Sequence, residues 1–362
     1  MRLTVLTTAL VLVVAANAQA GPSVGLGLVP TYEDPQPVYS WEGSFQSAEF
    51  TTPSRATGAL LYGNVFAPTD AAPGQNLPAV VIGPGSGPGV QSFYQWAARD
   101  LAGHGYVAVT IDPQGVGKSE TLPAGGCSTA PCPGVPFQQA GNYIDALQSG
   151  IDYVLSAHNP WRAAVDPDEI GIAGHSLAAR AASYLQMTDP RVKAAVAWDN
   201  LASNLEGDDG TPSGGGAAGA LIGGELPGAP TPITPRVPAL GEASDNVGTT
   251  QPTNNDPDIK KSAWKVWRAA GQPSMELVFA GAGHLDWAQA NTTTAAKAVE
   301  IQHFEYYTRA WFDRWLRDDL TATDRLIART VDGAAVGSVL STKFRSAAFL
   351  DGHDCPDLSS GC

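Results

Sequence analysis

Six short apolar runs recur along the chain: PAVVIG (Pro78–Gly83), YVAVTID (Tyr106–Asp112), EIGIA (Glu169–Ala173), VKAAVAW (Val192–Trp198), VPALGE (Val237–Glu242) and SMELVFAGAGH (Ser274–His284). Between most of them lie segments with helical spacing, at Gln91–Ala102, Phe137–Ala157, Leu177–Met187 and Ile259–Gly271, and a last one follows at Ala295–Leu316. Runs this short and this apolar suit strands covered on both faces. Parallel neighbours need long crossovers, and the intervening helices supply them. The expectation is an α/β protein with a mostly parallel, doubly wound sheet and helices on both faces. Thr57–Phe66 alternates small and bulky groups, as a peripheral strand does. One domain is expected over 57–319, interrupted by a glycine- and proline-rich insertion near 206–235. Residues 21–56 are expected to wrap its edge and 320–362 to return against its core.

The N-terminus reads MRLTVLTTALVLVVAANAQAG, with one basic residue, an apolar run and small residues at Ala18 and Ala20. This is the pattern of a secretory signal over residues 1–20. Leu3 to Ala16 is short for a membrane span. A secreted or periplasmic protein is expected. Lys+Arg total 21 against 35 Asp+Glu, a formal net charge of −14. Nucleic-acid binding needs a basic surface, which this balance argues against. The four cysteines fall into two close pairs, and an oxidising compartment predicts the disulfides Cys127–Cys132 and Cys355–Cys362. Their spacings are not those of a usual zinc site.

EIGIAGHSLAARAA places Gly174, His175, Ser176, Leu177 and Ala178 between a strand and a helix. In a doubly wound sheet, reactive groups gather beyond the C-terminal strand ends. A serine on such a sharp turn presents its hydroxyl outward, above the N–H groups of the new helix. Ala178 stands where the G-x-S-x-G pattern has glycine. Of the six histidines, His284 follows a strand and two glycines, as a general base on a strand-end loop would. The supporting acid is expected at Asp245, just beyond VPALGE, with Glu242 and Asp286 as rivals. The early turn VVIGPGSGPG offers backbone donors for an oxyanion, from Ser86 with Gly85 close behind, to join that of Leu177. A phosphate-loop reading fails for lack of a terminal G-K-[ST].

The segments PAVVIGPGSG, GYVAVTIDPQG, EIGIAGHSLA, VPALGEASDN and AGAGHLDW together resemble successive parts of an α/β-hydrolase, over roughly Thr57 to Asp318. More narrowly they resemble secreted esterases around the dienelactone-hydrolase and cutinase-like polyester-hydrolase group. The resemblance implies Ser176 as nucleophile, Asp245 as acid, His284 as base, and Ser86 and Leu177 as oxyanion donors. It also implies an aromatic wall by the substrate, for which Tyr94, Trp198 and Trp287 are the candidates. Two features depart from the group: Ser86 stands where polyester hydrolases often carry an aromatic, and the nucleophile is serine rather than the cysteine usual in dienelactone hydrolases. The expected activity is ester hydrolysis through an acyl-enzyme, needing no metal or organic cofactor. Amide or peptide hydrolysis by the same groups, and a non-catalytic binding role, stand as alternatives.

Overall fold

The computed structural model describes residues 44–86, 89–120, 140–199, 201–203, 233–245, 256–288, 295–331 and 333–361. The signal segment, residues 206–232 of the expected insertion, and Cys127, Cys132 and Cys362 lie outside them.

Ten strands form one sheet. In chain order they are β1 (Phe45–Pro53), β2 (Leu60–Pro68), β3 (Leu77–Gly83), β4 (Val107–Ile111), β5 (Val165–His175), β6 (Val192–Trp198), β7 (Ala239–Ser244), β8 (Ser274–Phe279), then, after the short β9 (Thr330–Val331) and β10 (Ala334–Ala335) pair, β11 (Ala347–Leu350) and β12 (His353–Cys355). Their spatial order is β1-β2-β4-β3-β5-β6-β7-β8-β11-β12. The six strands from β4 to β8 in that order pair in parallel. Antiparallel strands flank them on both sides. This is the α/β-hydrolase fold.

Successive residues of a strand face opposite sides of the sheet, and both sides here are covered. Ala79, Val81, Val107, Val109, Ala195 and Ala197 join the cluster beneath α2 (Ala140–Val154) and α3 (Leu177–Thr188). Their neighbours Val80, Ile82, Ala108, Ala194, Val196 and Trp198 join the opposite cluster, with Leu101 of α1 (Gln95–Gly103) and Phe304, Trp311 and Phe312. The last three belong to the long helix Ala295–Leu316, which is α5 after α4 (Ser262–Ala269). Double coverage is why the central strands read as continuous apolar runs.

β1 lies within the segment expected to wrap the edge. Its inward residues alternate with exposed ones, so it pairs along all of β2 as a one-sided edge strand. At the other edge β11 pairs with β8 and carries β12. Of the four cysteines only Cys355, at the end of β12, is described, and it is disulfide-bonded; the expected Cys127–Cys132 pair and Cys362 lie outside the described residues.

Candidate active site

β5 ends at His175 and α3 begins at Leu177, leaving one residue to reverse the chain. That residue, Ser176, has φ 53° and ψ −111°. A non-glycine residue held in such a region stores on the order of 1–3 kcal/mol, and such strain concentrates at functional sites. The Ser176 N–H is anchored on the Trp198 carbonyl of the next strand at 2.8 Å. The turn is tight enough that a Cβ on Gly174 would lie 2.5 Å from the Ala178 backbone and 2.7 Å from its methyl. A Cβ on Gly83 would lie 2.9 Å from that same methyl. Two flanking glycines therefore make the room that Ala178 fills. The departure from glycine at 178 is accommodated by packing.

Ser176 and His284 come together as expected: the hydroxyl lies 3.0 Å from His284 Nε2. The other ring nitrogen, Nδ1, is 2.6 Å from Oδ2 of Asp199. A carboxylate only accepts, so Nδ1–H donates to it, and in the neutral ring Nε2 is left to accept the serine proton. Asp199 is the first residue after β6, with φ 45°, a conformation aspartate tolerates better than most side chains. Its Oδ1 accepts the Ser244 N–H at 2.9 Å, and the Ser244 hydroxyl lies within 3.1 Å of both carboxylate oxygens. Burial pushes the Asp199 carboxyl up. The hydrogen bond and charge of His284, with the Lys260 charge and the Ser244 N–H, outweigh that and hold it well below the usual carboxylate range.

The expectation of Asp245 is thus corrected: the carboxylate at His284 Nδ1 is that of Asp199. β7 runs to Ser244, past the expected end at Glu242. Asp245 faces a different loop: it accepts the Gly281 N–H at 3.0 Å and the Ser341 hydroxyl at 2.6 Å. Asp286 accepts the Gly283 N–H at 2.7 Å, within its own turn. Glu242 is fully buried under the site, taking the Trp287 indole N–H at 3.1 Å and the Thr308 hydroxyl at 3.0 Å. Burial raises its carboxyl to about 8, against the two donors. The signal for Asp199 was present in VKAAVAWDN, an aspartate directly after a buried strand. Three such strand ends carry an aspartate, Asp112, Asp199 and Asp245, and the choice among them depends on where the His284 loop arrives.

The expected aromatic wall is also corrected. Tyr94, Trp198 and Trp287 are at most 1% exposed, so none can line a substrate cleft. They pack beneath the site: Trp287 stacks on Phe304 at 4.4 Å, and Trp96 lies 5.1 Å from Trp198. The exposed apolar group beside the histidine is instead Leu285, 69% accessible. Ser86 is exposed in the loop after β3, and Leu177 is the first residue of α3, whose early N–H groups have no partner within the helix. His175, unlike Ser176, is buried. Its Nε2 is 2.7 Å from the His284 carbonyl and its Nδ1 2.7 Å from the Tyr94 hydroxyl. Burial, reinforced by the nearby His284 charge, lowers it to about 3.

Among the described residues no three His, Cys, Asp or Glu side chains are grouped as metal ligands, and no helix is long and apolar enough to cross a membrane.

No protein-family model matches the chain. Over 120 residues it is 32% identical to the thiohydrolase apmlB of Arthrinium phaeospermum, covering 33% of this chain and 34% of that one. Over 199 residues it is 26% identical to the bis(hydroxyethyl) terephthalate hydrolase of Streptomyces coelicolor, covering 54% and 57%. The chain thus spans between a third and a little over half of the length of these curated relatives. Both are hydrolytic enzymes. With the fold, this distant similarity supports a general hydrolase function within the α/β-hydrolase superfamily and resolves no subfamily.

Proposed function

We propose that the protein is a serine carboxylic-ester hydrolase working through an acyl-enzyme. The observation that carries this reading is the unbroken chain from Ser176 Oγ to His284 Nε2 and from His284 Nδ1 to Asp199. His284 takes the Ser176 proton as Oγ attacks the ester carbonyl. Asp199 holds the ring in the required tautomer and stabilises the imidazolium. The oxyanion is received by the backbone N–H of Leu177 and, from the β3 loop, that of Ser86. Gly85 is not the donor, because its N–H is taken by the Tyr94 hydroxyl at 3.0 Å. His284 then protonates the leaving alcohol, the ester C–O bond breaks, and water repeats the sequence to release the acid and free Ser176.

The Streptomyces relative is named for bis(hydroxyethyl) terephthalate, a diester of an aromatic diacid, which makes that compound a reasoned first substrate beside simple esters. Export through the 1–20 segment is part of the proposal. The mature chain is expected to begin at Gly21, and N-terminal sequencing of protein recovered outside the cytoplasm checks it. The activity is tested with p-nitrophenyl acetate and butyrate, bis(hydroxyethyl) terephthalate and matched anilides. Ester turnover that vanishes in folded Ser176→Ala supports the reading. Undiminished turnover in that variant removes Ser176 from the mechanism, and faster turnover of the anilides moves the assignment to an amidase.

A further inference from the structure

The buried residues between the early glycine loop and the His284 loop form a second hydrogen-bonded chain, beside the triad. It runs from the Gly85 N–H to the Tyr94 hydroxyl at 3.0 Å, on to His175 Nδ1 at 2.7 Å, and from His175 Nε2 to the His284 carbonyl at 2.7 Å. The direction of every bond follows from elementary chemistry. A carbonyl oxygen can only accept, so His175 Nε2 carries a hydrogen and donates. In the neutral ring Nδ1 then has no hydrogen and accepts, so Tyr94 must donate to it. The tyrosine oxygen is left to accept from Gly85. A protonated His175 would aim N–H at Tyr94 and strand the phenol proton, so the chain is satisfied only with His175 neutral. Burial lowers His175 and raises Tyr94, in keeping with that state.

Gly85 fits this chain closely. A Cβ there would stand 2.7 Å from His175 Nδ1 and 3.1 Å from the Tyr94 oxygen. Tyr94 and His175 are each 1% exposed, so water does not compete for these bonds. The chain's ends fall on the two loops whose relative placement matters most. One end is the residue before Ser86. The other is the backbone of His284 itself.

We infer that Tyr94 and His175 are positioning residues that lock the Ser86 loop and the His284 loop to one another, so that the oxyanion site and the general base keep a fixed separation. The inference rests on the hydrolase reading above. Neither residue touches the reacting atoms. Their effect is on geometry during the chemical step, so kcat should change and KM should not. A shift near 1 Å at a catalytic group can cost about 10²-fold.

Tyr94→Phe removes one hydroxyl and keeps the buried ring. It is expected to lower kcat for p-nitrophenyl butyrate by about 10–100-fold with KM within about twofold. His175→Gln keeps an amide donor for the His284 carbonyl and should fall less than His175→Phe, which keeps none. Combining Tyr94→Phe with His175→Phe should cost little more than the worse single change, because both break one chain. Near-UV circular dichroism confirms that each variant folds. Independently of turnover, ¹⁵N NMR of the wild-type histidines should show His175 protonated at Nε2 only, with a slowly exchanging N–H and no titration between about pH 5 and 8. A Tyr94→Phe enzyme with unchanged kcat, fully additive losses, or a His175 that titrates in that window overturns the inference. If the wild type turns over no ester, the hydrolase reading fails on that result. The positioning role then falls with it, while the NMR signature still decides whether the lock exists.

Discussion

Replacing Asp199 by Asn separates the acid the structure presents from the one its neighbour in the fold would have supplied. The side chain keeps its size, and its surroundings dictate which way the amide lies. One carboxylate oxygen accepts the Ser244 backbone N–H at 2.9 Å, a donor that cannot reverse. The amide oxygen must therefore stay on that side, and the NH2 group must face His284 Nδ1, now 2.6 Å from a carboxylate oxygen. An NH2 group donates, so Nδ1 must accept and the ring proton moves to Nε2. That nitrogen faces the Ser176 hydroxyl at 3.0 Å and can no longer take its proton. Holding the wrong tautomer costs roughly 10³–10⁴ in kcat, or about 4–5.5 kcal/mol of transition-state stabilisation. Asp245→Asn keeps an oxygen for Gly281 and an amide that can donate to the Ser341 hydroxyl, so its kcat should stay within about threefold of wild type, the scale of a well-tolerated change. Steady-state hydrolysis of p-nitrophenyl butyrate, with melting curves to show both variants folded, measures the difference. An active Asp199→Asn beside an inactive Asp245→Asn would refute the reasoning and restore Asp245 as the acid.

Three further outcomes follow from the packing and charges around the site. Ala178→Gly removes the methyl seated between Gly83 and Gly174 and adds helix entropy, so it should lose about 1 kcal/mol in urea unfolding while keeping activity. Gly174→Ala forces a methyl against the Ala178 backbone and should cost about 1–3 kcal/mol, with a matching loss of turnover as the elbow shifts. Glu242 keeps its proton up to about pH 8 when folded but releases it near 4.5 when unfolded, so its contribution to stability declines as pH rises through that window. Glu242→Gln can still accept from Trp287 and can donate to the Thr308 hydroxyl. Its melting temperature at pH 8, relative to wild type, should therefore rise by about 2–4 °C compared with the same difference at pH 5. An equal difference at both pH values would contradict a raised Glu242.

The sheet was legible because its central strands are apolar on both faces: Val192–Trp198 occurs at the boundaries read from its apolar run, and the helix Ala295–Leu316 at those read from its spacing. β1 was missed because an edge strand buries one face only, and FQSAEFTTP shows polar residues at most positions. Ser176 and His284 could be found because a strand-end turn leaves a local signature of glycines and small residues. Asp199 has no such signature. Its role comes from β6 lying beside β5, with Trp198 in register with His175, and from a histidine loop arriving from β8. Local pattern cannot rank it above Asp245. The aromatics at 94, 198 and 287 were misread for the opposite reason. Aromatic residues near a site suggest a wall, but these carry N–H and O–H groups that find buried partners, Gly85, Thr308 and Glu242, and so support the site from below.

The central claim is that Ser176 becomes covalently acylated in the course of ester hydrolysis. Intact mass spectrometry of the native protein after exposure to a fluorophosphonate, followed by peptide mapping, tests it most directly. A single adduct on Ser176 is expected, absent after heat denaturation and in Ser176→Ala, and slowed in Asp199→Asn. No adduct on the native protein, or an adduct on another residue with Ser176 unmodified, would contradict it.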